Sequence, residues 1–170
     1  MNLTDYATDL DGTVINYGSR DGDVRFNTDF LAKLRARKVQ RIYIVTNQGG
    51  CVFHDSDPAK YPSVDLVAVR IRAAIHWLRW EGIQVDHVLA CTYHPRASEL
   101  QCAQVRSSMR TALLRVGINR VLTFSEAQMR KPEPGMLLRC KAGMYFGDDD
   151  TDEQAARAAG IEFVRVKRFE

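Results

Sequence analysis

Several features that would assign a chain to a special class of protein are missing from this sequence. No run of about 18 apolar residues occurs, so no membrane-spanning helix is expected. The first residues lack the basic and apolar segments of a signal peptide, and we therefore expect a cytoplasmic protein. Cysteine is sparse: Cys51, Cys91, Cys102 and Cys140 are far apart, which favours free thiols over a disulfide framework.

The charge balance excludes a strongly basic protein that binds polyanions over its whole surface. The formal net charge is only +3 across 170 residues. A Gly-x-x-x-x-Gly-Lys phosphate-binding loop is absent, which excludes a kinase of that type within this chain. Basic residues nevertheless outnumber acidic ones by seven to two between Arg96 and Lys131. We expect this segment, 96–131, to lie on the substrate side of the molecule.

Strand-like and helix-like patterns alternate along the chain, which predicts an α/β protein. Such alternation is typical of a three-layer, Rossmann-like domain with a mainly parallel central sheet. Residues 1–170 are expected to form one domain with no large cap domain, and residues 12–28 to form a short flap. The predicted strands are 3–9, 41–46, 86–91, 144–146 and 161–166, with 121–124 either a short strand or part of a loop. Helices are predicted from the caps at 27–29, over 64–81 and 101–116, from 134 to 140, and over 153–159.

Two carboxylates end the first predicted strand in the segment Asp9-Leu10-Asp11-Gly12-Thr13. Residues i and i+2 of a strand point to the same side, so Asp9 and Asp11 can converge on one small volume. Two such charges repel unless a cation lies between them or one carboxyl group is protonated. A divalent metal and a phosphoryl group would suit this arrangement, although the two residues are also compatible with a solvated turn.

Three further polar segments follow in order, each near the end of a predicted strand or in a stiff loop. They are Thr46-Asn47-Gln48, then Arg130-Lys131-Pro132-Glu133-Pro134-Gly135-Met136, and then Gly147-Asp148-Asp149-Asp150-Thr151-Asp152. Ligands of open parallel sheets bind beyond the carboxyl ends of the strands. We therefore expect one crevice to gather these distant residues.

In these four segments the chain resembles the haloacid-dehalogenase-like phosphatase superfamily. The Thr46-Asn47-Gln48-Gly49 and Arg130-Lys131-Pro132 strings are similar to those of subfamily IIIA, the group of histidinol-phosphate, heptose-bisphosphate and polynucleotide 3′-phosphatases. The resemblance implies a phosphatase that forms an aspartyl-phosphate and requires Mg²⁺. It covers nearly the whole chain.

The resemblance also implies a role for each matching residue. Asp9 is expected to attack phosphorus, and Asp11 to protonate the leaving oxygen and then deprotonate water. Thr46 and Lys131 are expected to stabilise the phosphoryl group, with Asn47 as a further substrate contact. Apart from the resemblance, Arg130 is the best candidate among the basic residues for contact with an anionic substrate. The implied Mg²⁺ ligands are Asp9, Asp11 through its backbone carbonyl, and Asp148, with Asp149 and Asp152 supporting them.

Two assignments remain open in the sequence. In the acidic run, Asp148 is preferred as metal ligand because it lies nearest the strand end, Asp149 is the alternative, and the others can cap the next helix. Cys91, His94 and Cys102 invite a zinc interpretation, because heptose-bisphosphatase relatives carry a zinc loop. A structural zinc site normally has four ligands. Here Gln128-Met129 stands where the second cysteine pair of those relatives would lie, which disfavours zinc.

The sequence allows more than one substrate. The basic 96–131 segment favours a phosphorylated nucleic-acid 3′ end, and a small sugar or amino-alcohol phosphate is the alternative. A non-catalytic binding module on the same fold is a third possibility. No obligate protein partner is indicated.

Overall fold

The computed structural model describes residues 6–16 and 23–169. Residues 3–5 of the expected first strand and residues 17–22 of the expected flap lie outside the described residues. The six strands of the sheet are β1 Tyr6–Thr8, β2 Arg41–Asn47, β3 Gln84–Cys91, β4 Val121–Phe124, β5 Met144–Gly147 and β6 Glu162–Arg165. The α-helices are α1 Thr28–Ala36, α2 Val64–Trp80, α3 Glu99–Arg115, α4 Gly135–Cys140 and α5 Asp150–Ala159.

The strands form one parallel sheet in the order β4-β3-β2-β1-β5-β6. The chain moves outward from β1 to β4 and then returns to the other side of β1 as β5. The strand order therefore reverses between β1 and β5, and such a switch point opens a crevice at the carboxyl ends of the strands. The predicted α/β fold with a parallel sheet is confirmed, and 121–124 is a strand.

Helices cover both faces of the sheet, and each face has its own apolar core. Side chains of α1, α2 and α3 pack with Ile42 and Ile44 of β2 on one face. Side chains of α4 and α5 pack with Val45 on the other face. Successive side chains of a strand point to opposite faces, so the continuous apolar run of β2 is buried on both sides. No helix among the described residues has both the length and the apolarity needed to cross a membrane.

Side-chain caps fix where the helices begin, as the sequence predicts for polar residues before an apolar face. Asn27 caps α1, Ser63 caps α2, and Ser98 caps α3 in a reciprocal capping box with Gln101. Gly82 and Gly117 follow α2 and α3 with φ angles of 79° and 86°. The two glycines let α2 and α3 end in short loops that lead directly into β3 and β4.

Candidate active site

The carboxyl ends of β1, β2 and β5 bring the predicted polar residues together. A crevice of about 560 Å³ opens there. It is lined by eight of the nine predicted site residues, namely Asp9, Asp11, Thr46, Asn47, Arg130, Lys131, Asp149 and Asp152. The ninth, Asp148, follows β5 and has a carboxylate oxygen within 4.8 Å of those of Asp9 and Asp152.

The Lys131 ammonium connects three groups at this crevice. Its Nζ donates to Asp9 Oδ1, Asp152 Oδ1 and the Tyr145 hydroxyl oxygen, each at 2.7 Å. The Lys131 side chain is 4% exposed. Burial alone lowers the pKa of a lysine, but the charges of Asp152 and Asp9 outweigh burial here, so the pKa of Lys131 is raised. Lys131 is therefore a fixed positive charge against Asp9.

The backbone of Lys131 is held as firmly as its side chain. Asn47 Nδ2 donates to Lys131 O, and Lys131 N donates to Asn47 Oδ1, both at 3.1 Å. Asn47 thus connects β2 to the Arg-Lys-Pro loop, using both atoms of its amide. The expected contact between Asn47 and substrate stays a prediction.

Two residues to which the sequence assigns no role hold the Asp11 carboxylate. Arg70 Nη2 lies 2.6 Å from Asp11 Oδ1, and Gln48 Nε2 donates to Asp11 Oδ2 at 2.9 Å. Gln48 Nε2 also donates to Thr46 Oγ1 at 2.8 Å. Gln48 belongs to the Thr46-Asn47-Gln48 string, and this position in the sequence could have indicated its role at the site. Arg70 lies on the apolar face of α2 next to Ile71, and a charged residue at such a position is a second usable signal.

The acidic run divides into residues with different contacts. Asp149 caps α5: its Oδ1 accepts from Asp152 N at 3.0 Å, and Asp152 reciprocates toward the Asp149 backbone. Burial alone would raise the pKa of Asp149, but the hydrogen bonds from Thr151 and from the Asp152 backbone outweigh it, so the pKa is lowered. Asp152 Oδ1 accepts from Lys131 and Tyr145, and its Oδ2 accepts from Asp148 N at 3.2 Å. Asp152 is therefore occupied in holding other groups.

Asp148 is bonded through one oxygen and lacks a hydrogen bond at the other. Thr13 Oγ1 donates to Asp148 Oδ1 at 3.0 Å. The buried Oδ2 lies 3.0 Å from Arg168 Nε, but without the geometry of a hydrogen bond. Burial is the main cause that raises the pKa of Asp148. Gly12, with φ of 83°, makes room for this carboxylate, since a Cβ there would lie 2.6 Å from Oδ2.

The three carboxylates of Asp9, Asp148 and Asp152 form the group that suits a metal ion among the described residues. Burial also raises the pKa of Asp9 well above its ordinary value, in spite of Lys131. A raised carboxyl pKa indicates negative charge that the surrounding groups leave partly uncompensated. The donor set is all oxygen, which suits Mg²⁺.

The basic 96–131 segment, all of which the structure describes, is divided between several surroundings. Arg130 and Lys131 line the crevice, and Arg130 Nη1 donates to Tyr93 O at 3.1 Å. The other five arginines of this segment lie outside the crevice lining. Arg96 donates to the hydroxyl of Tyr61, Arg106 and Arg115 lie near Glu126 and Asp65, Arg110 is exposed on α3, and Arg120 lies just before β4. The segment therefore presents no continuous basic surface to the crevice.

The thiols suggested as zinc ligands face backbone groups. Cys91 Sγ donates to Glu126 O at 3.8 Å, and His94 N donates to Cys102 Sγ at 3.5 Å. Burial raises the pKa of the Cys91 thiol to about 11. His94 lines the crevice, where burial first and then the charges of Arg130 and Arg96 lower its pKa.

Comparisons with known proteins agree with the site. No family model matches the chain. The chain is 26% identical over 166 residues to the D-glycero-beta-D-manno-heptose-1,7-bisphosphate 7-phosphatase of Mesorhizobium japonicum. The similarity supports the haloacid-dehalogenase-like phosphatase superfamily. The match covers 90% of this chain and 64% of the relative, and it leaves the narrower group within the superfamily undetermined.

Proposed function

We propose that this chain is a Mg²⁺-dependent phosphomonoesterase in which Asp9 accepts the phosphoryl group. The observation that supports this most directly is the Lys131 ammonium, 2.7 Å from Asp9 and 2.7 Å from Asp152 at one crevice. A buried carboxylate with one oxygen bound to a fixed cation is oriented for attack on phosphorus. The similarity to a phosphatase supports the same reaction class.

The residues present fit a magnesium ion. Asp9 and Asp148 would hold it, since both are buried carboxylates with raised pKa values and Asp148 Oδ2 lacks a hydrogen bond. Asp152 is already engaged by Lys131 and Tyr145, so we assign it to orientation rather than to ligation. When bound, Mg²⁺ would offset the negative charge shared by the carboxylates and the phosphoryl oxygens.

The proposed reaction has two displacements at phosphorus. In the first, an Asp9 carboxylate oxygen forms a bond to phosphorus while the ester P–O bond breaks, and the Asp11 carboxyl group gives its proton to the leaving oxygen. In the second, a water oxygen attacks phosphorus, Asp11 takes the proton of that water, and the bond to Asp9 breaks. Inorganic phosphate leaves, and both carboxyl groups return to their starting states.

Other side chains hold this geometry through both steps. Arg70 and Gln48 fix the Asp11 carboxyl group, and Gln48 also orients the Thr46 hydroxyl oxygen. Because Thr46 Oγ1 accepts a hydrogen bond from Gln48 Nε2, the Thr46 O–H is left to donate to a phosphoryl oxygen. Preorganised donors of this kind supply most of the catalysis in phosphoryl transfer.

We propose a small phosphorylated metabolite as the substrate. The similar enzyme from Mesorhizobium japonicum is a heptose-bisphosphate phosphatase, which favours this alternative and gives no support to a nucleic-acid end. A cavity of about 560 Å³ matches the size of small-molecule sites. Lys60 and Arg130 at its lining offer positive charge to an anionic substrate.

Hydrolysis of p-nitrophenyl phosphate tests the proposed activity. We expect turnover that requires Mg²⁺ and falls at least about 1,000-fold in Asp9→Asn, because the nucleophile is lost. Asp150→Asn is the control, since Asp150 lies in the same acidic run with its side chain 86% exposed and paired with Arg165. Absence of Mg²⁺-dependent turnover, or equal turnover in wild type and Asp9→Asn, would favour a non-catalytic binding module.

A panel of substrates separates the two substrate classes. We expect kcat/KM for sugar phosphates and sugar bisphosphates to exceed that for 3′-phosphorylated oligonucleotides by at least about tenfold, a difference of 1.4 kcal/mol. A preference of that size for the oligonucleotides would restore the nucleic-acid assignment. Histidinol phosphate belongs in the same panel as a representative amino-alcohol phosphate.

A further inference from the structure

A second cavity, of about 600 Å³, lies at the edge of the sheet opposite the crevice. It is formed where α2 and α3 end and where β3 and β4 begin. We call it the cationic cavity after three of its lining residues, Arg72, Arg79 and Arg120, and the imidazoles of His76 and His87 also line it. No aspartate or glutamate is among its lining residues, all of which the structure describes.

The carboxylates nearest in sequence to this cavity are already paired elsewhere. Glu81 Oε2 lies 2.6 Å from Arg35 Nη2. Asp86 accepts from Arg41 Nε at 2.9 Å and from Arg41 Nη2 at 2.9 Å, so its charge is compensated on the other side. Neither carboxylate is left to neutralise the arginines of the cationic cavity.

Two arginines of α2 and α3 outside the cavity have acidic partners. Arg115 of α3 has a carboxylate within ion-pair distance, and Arg70 of α2 binds Asp11. Arg79 and Arg120, by contrast, form no ion pair or hydrogen bond through their side chains within residues 6–16 and 23–169. Arg72 Nε donates to His76 Nε2 at 3.4 Å, so its hydrogen bond goes to a side chain without negative charge. Three arginines without an acidic partner among the described residues have unused donors and repel one another.

The partial negative charge at the carboxyl ends of α2 and α3 offsets only part of the positive charge of the arginines. A helix carboxyl end carries about half a negative charge, and its effect falls off within the last turn. That favours one basic residue near each end, as with Arg79 in the last turn of α2. Three arginines exceed the sum of two such half charges, and Arg72 lies more than one turn from the helix end. The cavity keeps a net positive potential.

The floor of the cavity is apolar. Ile83 and Ile118 of the two loops line it together with Val85 and Val88 of β3, and all four are buried. Small-molecule sites combine a mainly apolar wall with a few polar groups and have volumes of about 300–1,000 Å³. An apolar floor with a rim of arginines matches a ligand that has an apolar or aromatic body and a phosphate group.

We propose that the cationic cavity binds an organic phosphate of nucleotide size. The phosphate lies against Arg79 and Arg120, whose guanidinium groups offer paired donors to its oxygens. The body of the ligand covers Ile83 and Ile118. The site is separate from the Asp9 crevice and does not depend on the proposed phosphatase activity.

Titration of ¹⁵N-labelled protein with adenosine 5′-(β,γ-imido)triphosphate in EDTA tests this proposal. Without divalent metal the probe is not turned over, and the glycine amide signals report the place of binding. Gly82 and Gly117 line the cationic cavity, whereas Gly49 and Gly50 line the crevice. We expect saturable shifts at Gly82 and Gly117, a smaller effect with pyrophosphate, and a smaller effect with adenosine.

Paired substitutions supply the control for charge. We expect Arg79→Gln with Arg120→Gln to weaken binding at Gly82 and Gly117 at least about tenfold, since both phosphate donors are lost. Arg110→Gln with Arg139→Gln removes the same charge from exposed positions on α3 and α4. This second double variant should change the affinity for the probe by less than about twofold. Arg120→Gln alone, at an exposed residue, repeats the test if the double variant folds poorly.

Three outcomes would overturn the proposal. One is a set of shifts confined to Gly49 and Gly50, which would assign binding to the crevice. Another is equal weakening in both double variants, which would indicate general attraction to a positively charged protein. The third is a linear shift that never saturates, which would show the absence of a defined site.

Discussion

Gly12 leaves space for the Asp148 carboxylate at the candidate metal site because it has no side chain. It combines φ of 83° with a contact in which a Cβ would lie 2.6 Å from Asp148 Oδ2. Gly82 has nearly the same φ, 79°, but a Cβ there would meet no heavy atom within 4 Å. The two glycines therefore separate backbone strain from displacement of Asp148.

We expect Gly82→Ala to lower the free energy of unfolding by about 1–2 kcal/mol, the strain of a left-handed alanine, with kcat unchanged. Gly12→Ala should lower it further and reduce kcat about 100-fold, because Asp148 must move. Chemical denaturation and p-nitrophenyl phosphate turnover measure both quantities. Equal kcat in the two variants would show that the position of Asp148 does not matter.

Arg70 is a residue whose importance lies in stability as well as in the site. Its side chain is 6% exposed, and Nη2 contacts both Asp11 Oδ1 and the carbonyl oxygen of Asn16. Removing one partner of a buried pair leaves the other charge uncompensated.

We therefore expect Arg70→Ala to lower the free energy of unfolding by about 3–5 kcal/mol. Arg72→Ala, at an exposed position two residues along α2, should change it by less than about 0.5 kcal/mol. Urea denaturation followed by tryptophan fluorescence gives both values. A loss of similar size in the two variants would contradict the assigned role of Arg70.

At the residue scale, the sequence predicted the charged residues of the crevice better than their contacts. Their positions at strand ends suggested that Asp9 and Asp148 share one crevice, and the family resemblance added Lys131 to it. The contacts of Tyr145 with Lys131 and of Arg168 with Asp148 depend on which strands are neighbours. Neither a tyrosine inside a short apolar strand nor an arginine near residue 170 carries a local pattern that reveals such a contact.

Helix α5 shows at the scale of an element how one acidic run serves two purposes. The sequence predicted a helix over 153–159, whereas α5 begins at Asp150 because Asp149 and Asp152 form a reciprocal capping box. The cap fixes Asp152 at the point where it also accepts from Lys131. Helix α2 was predicted almost to its ends because a regular apolar spacing marks it and Gly82 follows its last turn.

The start of α1 and the segment after β6 are connected by one carboxylate. Asp29 accepts from Lys33 Nζ at 2.7 Å and from Lys167 N at 2.9 Å. These contacts, first among them the hydrogen bond from Lys33, lower the pKa of Asp29. A carboxyl group whose pKa is lower in the folded state stabilises the fold above its unfolded pKa, and this stabilisation is lost as the pH falls through the folded pKa.

We expect Asp29→Asn to have a lower Tm than wild type at about pH 6 and a Tm difference close to zero at about pH 2.5. Thermal unfolding followed by circular dichroism at both pH values provides the comparison. Asp65→Asn, at a longer and exposed ion pair with Arg115, should leave Tm unchanged at about pH 6. A Tm difference for Asp29→Asn that grows toward low pH would have the wrong sign.

At the scale of the whole molecule, strand order explains why residues 122 positions apart meet. Pairing of β1 with both β2 and β5 brings the ends of three chain segments to one edge, where Lys131 reaches Asp9. The alternation of elements predicted the parallel sheet, because each helix must cover a face between successive strands. The opposite edge carries the cationic cavity, which no sequence motif predicted because its arginines come from helix α2 and from the loop before β4.

Direct trapping of the phosphorylated protein is the measurement that tests the central claim. The protein is mixed with p-nitrophenyl phosphate and Mg²⁺, quenched in acid, treated with borohydride and digested, and the peptides are then sequenced by mass spectrometry. The proposed reaction predicts homoserine at position 9, because borohydride reduces the acyl group of the aspartyl phosphate and releases phosphate, and no homoserine at that position in Asp9→Asn. Turnover with a covalent phosphate on another residue, or with none on Asp9 under conditions where the step that releases it is slowed, would contradict the account.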